Sequence, residues 1–140
     1  MSRATAGDAA PVPVLFVLPS PPLRLLAVAA LRDALARSGR ALAPVEAGSA
    51  FEALGLLARE RPAIAVVALD LPVLSGGELV ALLRARPEHR ELPVIAVAPA
   101  ADADAPRRAG EAGVAALLRT PFDDESVASA VAAAGLAGAP

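Results

Sequence analysis

A chain of 140 residues without cysteine is long enough to build one domain without staples, and it excludes disulfides, zinc-thiolate sites and thiol nucleophiles. A single histidine rules out a histidine-based metal cluster, and neither a metal nor any other cofactor is expected. All 13 basic residues are arginine, against 15 acidic residues and a formal net charge of −2. With both signs interspersed, neither a nucleic-acid footprint nor an acidic tail stands out.

In chain order, residues 1–11 read as a disordered tail, 12–136 as a single domain and 137–140 as a second tail. Val12 to Leu18 is the first strand candidate. Pro11, Pro13, Pro19, Pro21 and Pro22 break any helix around it, and Arg24 and Arg32 interrupt the next stretch before about 20 apolar residues accumulate. No export signal or membrane span is therefore read, and the expected location is the cytoplasm. Leu23 to Arg37 has apolar residues Leu25, Val28, Leu31 and Leu35 at helical spacing, with Arg24 and Arg32 expected to point outward. Ser38-Gly39 stops that helix.

Ala41 to Val45 is a short strand carrying Pro44, which suits an edge. Ser49-Ala50-Phe51-Glu52 matches a capping box and opens a helix, Ala50 to Glu60, expected to bury Phe51, Leu54, Leu57 and Ala58. Ile64 to Leu69 is a continuous apolar run between Pro62 and Pro72, the pattern of a parallel strand buried on both faces. Gly76-Gly77 reads as a turn. Glu78 to Arg86 is the third helix, using Leu79, Leu82 and Leu83. Pro93 to Ala98 is the fourth strand, Pro106 to Ala112 a short helix ending at Gly113, and Val114 to Leu118 the fifth strand. Asp123 or Asp124 caps a last helix running to about Ala134. Five strands alternating with five helices imply a three-layer α/β sandwich of right-handed crossovers.

The order of these elements resembles the receiver domain of bacterial response regulators. So do Glu46-Ala47-Gly48-Ser49-Ala50, Leu71-Pro72-Val73-Leu74-Ser75-Gly76, Leu92-Pro93-Val94-Ile95, Ala112-Gly113 and Thr120-Pro121-Phe122. The resemblance runs from about Val14 to Ala134. It implies a flavodoxin-like (βα)5 fold with parallel strand order 2-1-3-4-5, a bacterial two-component signalling setting, and a partner-binding face made by helix 4, strand 5 and helix 5.

Carried over position by position, the resemblance implies a receiver with its chemistry removed. The phosphoacceptor aspartate corresponds to Ala68, and the magnesium-holding acid pair to Leu18 and Pro19. The hydroxyl residue of the fourth strand corresponds to Ala98, the switching aromatic to Leu117 and the essential lysine to Thr120. Asp70 is the alternative phosphoacceptor, and an ion pair with Arg119 would be its neighbour. Phosphoryl transfer needs cations that neutralise developing charge, which favours a pseudo-receiver that binds proteins without catalysis. A conventional phosphorelay switch at Asp70 and a small-ligand protein using the apolar cleft near Leu18, Ala68 and Ala98 are the rival readings. Val127, Ala130, Val131 and Ala134 of the last helix are the candidate partner face, with a homodimer as one form of it; nucleic acid and membrane are not expected partners. His89 and the serines Ser20, Ser49 and Ser75 have no partner that would make a base or nucleophile.

Overall fold

The computed structural model describes residues 10–136; the first nine residues of the expected N-terminal tail, and the expected C-terminal tail, lie outside them. Ile64–Ala68, buried at every position, forms β3 at the centre of the sheet. Only a strand sandwiched between two helical layers can be apolar on both faces in this way. Around it stand β1 (Val12–Val17), β2 (Leu42–Ala47), β4 (Val94–Pro99) and β5 (Ala116–Thr120). All pairings are parallel in the order β2-β1-β3-β4-β5, the flavodoxin-like arrangement expected.

The crossovers are α1 (Pro21–Ala36), α2 (Ala50–Leu57), α3 (Gly76–Arg84) and α4 (Ala105–Ala112), with α5 (Asp124–Ala133) closing the chain. A single 3-10 turn, Pro87–His89, precedes β4. Helix α1 packs against α5, and α3 against α4. Each of α1, α2, α3 and α5 starts at a side chain that accepts a backbone N–H: Ser20 from Leu23, Ser49 from Glu52, Ser75 from Glu78 and Asp123 from Ser126. These caps satisfy amides that the helix itself leaves without partners.

Several sequence expectations shift by a residue or a face. Helix α1 faces the core with Ala27, Val28, Leu31, Ala34 and Leu35, while Leu25 and Leu26 are 71% and 62% exposed. The small alanines let the helix lie close to the sheet, which turns Leu25 outward. In α2 the buried residues are Ala50, Ala53 and Leu57, whereas Phe51 and Ala58 face solvent. In α3, Val80 replaces Leu82 on the buried side. Gly76 and Gly77 are not a turn: they are the first residues of α3, behind a complete capping box between Ser75 and Glu78. At Ser49 the box is displaced, because Glu52 accepts from the N–H of Gly48 instead of from Ser49.

The largest correction concerns α5. Val127, Ala130, Val131 and Ala134 are buried in the main hydrophobic core, so they cannot form a partner face in this fold. The sheet takes the side of the helix that carries both valines, since these offer the most apolar area to bury. Ala128, Ser129, Ala132 and Ala133 are the side left exposed.

Candidate functional site

In an open parallel sheet the loops after the strands crowd at one edge, where ligands are usually bound. Here that edge brings Pro19, Leu23, Ala68, Asp70, Val97, Ala98, Pro99 and Thr120 around a cavity of about 150 Å³. Five of the positions singled out in the sequence therefore do converge: Pro19 from the loop after β1, Ala68 from the end of β3, Asp70 from the loop that follows it, Ala98 from β4 and Thr120 from the end of β5. Leu18 is fully buried behind them. Leu117 lies elsewhere, half-buried against the cluster of Leu69, Ala96, Ala98, Ala105 and Ala109. The cavity wall is mainly hydrocarbon, and Ala68 itself is 6% exposed.

Positive charge is present at this edge, but it is turned onto the protein's own carbonyls. Arg24 in the first turn of α1 donates to Leu18 O at 2.5 Å and pairs with Glu46 at 3.4 Å. Arg108 in the first turn of α4 donates to Leu69 O at 3.1 Å, to Asp70 at 2.9 Å and to Asp102 at 3.3 Å. Arg119 on β5 donates to the carbonyls of Pro99, Ala100 and Asp102, the last at 2.6 Å. Three guanidinium groups thus cap the carbonyl ends of β1, β3 and β4. Their delocalised, planar donors suit this multiple bonding better than a lysine ammonium would.

Asp70 and Arg119 neither pair with each other nor stand as the solvated loop charges that the sequence suggests: Asp70 is engaged by Arg108, and Arg119 is bonded to the loop after β4. Arg24 and Arg108 were not picked out from the sequence as site residues, and Arg24 was expected to face outward. A signal was available, because helical side chains lean toward the helix N-terminus. An arginine in the first turn of a helix that starts at this edge therefore reaches back over it. A cation there opposes the helix dipole, and the bonded carbonyls and carboxylates compensate.

The loop from Asp70 to Ser75 closes over the edge. Val73 has φ +69° and is 90% exposed. Gly76 sits directly against β3: a Cβ there would overlap the carbonyl oxygen of Ala68, so only glycine fits this close approach. The Thr120–Pro121 peptide is cis. Nearby, the Asp104 carboxyl is held below the ordinary range by its hydrogen bonds from Arg107, and Asp123 by the backbone N–H and hydroxyl of Ser126. His89 lies at the opposite edge of the sheet, half-buried in the 3-10 turn.

Receivers bind magnesium through acidic side chains at the end of β1, and a hard cation requires such oxygens. Leu18 and Pro19 supply none, and among the described residues no group of three or more histidine or acidic side chains is placed to hold a metal. The residues present do not fit the ion. No helix of the described residues is long and apolar enough to cross a membrane.

Similarity to known proteins bears on the same region. The structure of a response regulator receiver protein from Pseudomonas putida aligns at 26% identity over 89% of this chain and 98% of that one, with a TM-score of 0.70. The chemotaxis response regulator CheY4 of Vibrio cholerae aligns at 19% identity over 89% and 99% of the two chains, with a TM-score of 0.71. The receiver domain of the sensor histidine kinase PA1611 from Pseudomonas aeruginosa PAO1, which holds magnesium in its active-site cleft, aligns at 21% identity over 90% and 99%, with a TM-score of 0.72. No curated protein matches the chain. Residues 25–132 match the family described as response regulator receiver domain. That match covers most of the chain and both loops that flank β3 and β4, and on it the protein belongs to the response regulator receiver domain family.

Proposed function

We propose that this receiver domain works without phosphorylation, as a protein-binding module of two-component signalling, and is not an enzyme. The observation that carries the reading is the cavity at the end of β3, where Ala68 stands among Pro19, Leu23, Val97, Ala98 and Pro99. A methyl group offers no nucleophile, and the hydrocarbon around it offers no ligand for a cation. Phosphoryl transfer is almost entirely a matter of positioning and charge neutralisation, and the edge has been rebuilt without the groups that supply either. The same reading takes residues 12–136 as the working unit and the cytoplasm as its location.

Asp70 is the competing acceptor. Its Oδ1 accepts from Arg108 at 2.9 Å, and the same arginine is tied to Leu69 O and Asp102; the other carboxylate oxygen is left to attack, but Leu18 and Pro19 supply no ligand for a cation that would neutralise the developing charge. The partner face proposed from helix 4, strand 5 and helix 5 is restricted by the burial of α5 to that helix's outer residues, Ala128, Ser129, Ala132 and Ala133.

Incubation with acetyl phosphate and magnesium, followed by intact-mass measurement, tests the reading. Unchanged mass is expected for the wild type. A gain of one phosphoryl mass, lost in Asp70→Ala, would replace this reading with that of a working phosphorelay receiver.

A further inference from the structure

The two edges of the sheet treat arginine differently. At the edge that holds the cavity, Arg24, Arg107, Arg108 and Arg119 are all bonded within the protein. At the opposite edge, where the strands begin, Arg40, Arg59, Arg61, Arg86 and Arg90 are exposed, and none of them has an ion pair or side-chain hydrogen bond among the described residues. Arg40 precedes β2, Arg59 and Arg61 precede β3, and Arg86 and Arg90 precede β4. Because β2, β1, β3 and β4 are consecutive in a parallel sheet, these five begin-of-strand positions are spread over roughly 14 Å of one edge.

We propose that this edge is a docking surface for an acidic segment of a partner protein. Three observations favour it. First, the backbone under the arginines is fixed. Arg84 donates to the carbonyls of His89 and Leu92 at 3.3 and 2.7 Å, which braces the 3-10 turn between Arg86 and Arg90. The Arg40 N–H donates to Leu35 O and the Ala63 N–H to Pro13 O, which anchors the other two loops. A surface ordered in advance loses less entropy on binding. Second, free guanidinium groups form bidentate bonds with carboxylates. Third, Glu60, Glu88 and Glu91 share the edge without pairing to those arginines. Carboxylates mixed into the surface repel a phosphate backbone or an anionic membrane, neither of which brings a cation of its own to meet them. A protein segment that mixes many carboxylates with a few cations matches the pattern.

This surface lies at the far edge from Ala68 and Asp70 and does not depend on whether the domain is phosphorylated. The test uses a fluorescein-labelled peptide of about twenty residues with roughly four glutamates to each lysine, and measures anisotropy in 50 mM and 300 mM NaCl. Saturable binding that weakens with salt is expected. A variant carrying Arg59→Ser, Arg61→Ser, Arg86→Ser and Arg90→Ser, with unchanged circular dichroism, should bind at least about tenfold more weakly. Arg107→Ser, at the other edge, should bind as the wild type does. The proposal is overturned by absence of binding in 50 mM NaCl, by equal binding of the fourfold variant, or by tighter binding to duplex DNA or phosphatidylserine vesicles than to the glutamate-lysine peptide.

Discussion

At Val73 a β-branched side chain occupies the left-handed region, with φ +69° and 90% of its surface exposed. A residue with a Cβ in that region crowds the following carbonyl, and branching at Cβ narrows its options further. Neither packing nor a hydrogen bond involving the valine side chain offsets the crowding. Asparagine tolerates the conformation far better. Val73→Asn should therefore raise stability by about 1 kcal/mol, read as a higher urea midpoint at unchanged slope. An unchanged or lower midpoint would mean that the loop gains something from this valine that its exposure hides. Gly76, three residues on, shows the opposite relation: no side chain is tolerated, because α3 is pressed against the carbonyl of Ala68.

Among the elements, α5 depends on one carboxylate at its start. Asp123 accepts from the Ser126 N–H at 2.8 Å and from the Ser126 hydroxyl at 3.1 Å, and these bonds hold its carboxyl below the ordinary range. A carboxylate whose folded pKa is lowered stabilises the fold above its unfolded pKa and loses that contribution as pH falls through the folded value. Asp123→Asn keeps an acceptor at the cap but cannot titrate. The gap in urea midpoint between wild type and Asp123→Asn should therefore be widest near neutrality and shrink below about pH 4; a gap independent of pH would show that charge at this cap contributes nothing.

The same helix marks the limit of what the sequence reveals. Five strands, five helices and their order were legible, because buried parallel strands read as continuous apolar runs and proline, glycine and capping residues punctuate them. Which side of α5 meets the sheet was not, since a helix rich in alanine has a weak apolar contrast around its circumference. Val127, Ala130, Val131 and Ala134 looked like surface and are core. Leu25 and Phe51 err in the other direction, for the same reason: small neighbours can fill the core as well as large ones. At the site, Ala68 was legible from its spacing before Pro72 and Thr120 from the Pro121-Phe122 pair, while Pro19 and Ala98 followed from the receiver resemblance at the ends of the first and fourth strands. Arg24 and Arg108 were not, nor were the bonds of Arg119, because Leu18, Leu69 and Pro99 accept through main-chain oxygens, to which side-chain identity gives no clue.

For the molecule as a whole, receiver chemistry is a property of convergence: groups from the ends of β1, β3, β4 and β5 must meet at one point. In this chain the strand ends converge, but Pro19, Ala68, Ala98 and Thr120 are what they bring together, so on the proposed reading no single substitution should restore receiver chemistry. Ala68→Asp supplies the acceptor alone. Ala68 is 6% exposed and lines a cavity with Pro19, Val97 and Ala98, while Arg108, which reaches the neighbouring Leu69 O, is already committed to Asp70 and Asp102. A carboxylate placed there is buried without a partner, at a cost of about 3 kcal/mol or more at neutral pH. Where acidic side chains stand at the end of β1, magnesium would recover much of that loss by binding the new carboxylate. Here Leu18 and Pro19 contribute no further oxygen, so 10 mM magnesium, at the order of magnitude where weak carboxylate sites fill, should leave the melting temperature of Ala68→Asp unchanged. A rise of several degrees with magnesium, absent from the wild type, would mean that the edge assembles a cation site around a single added acid, and the proposed phosphorylation-independent reading would then rest on Ala68 alone.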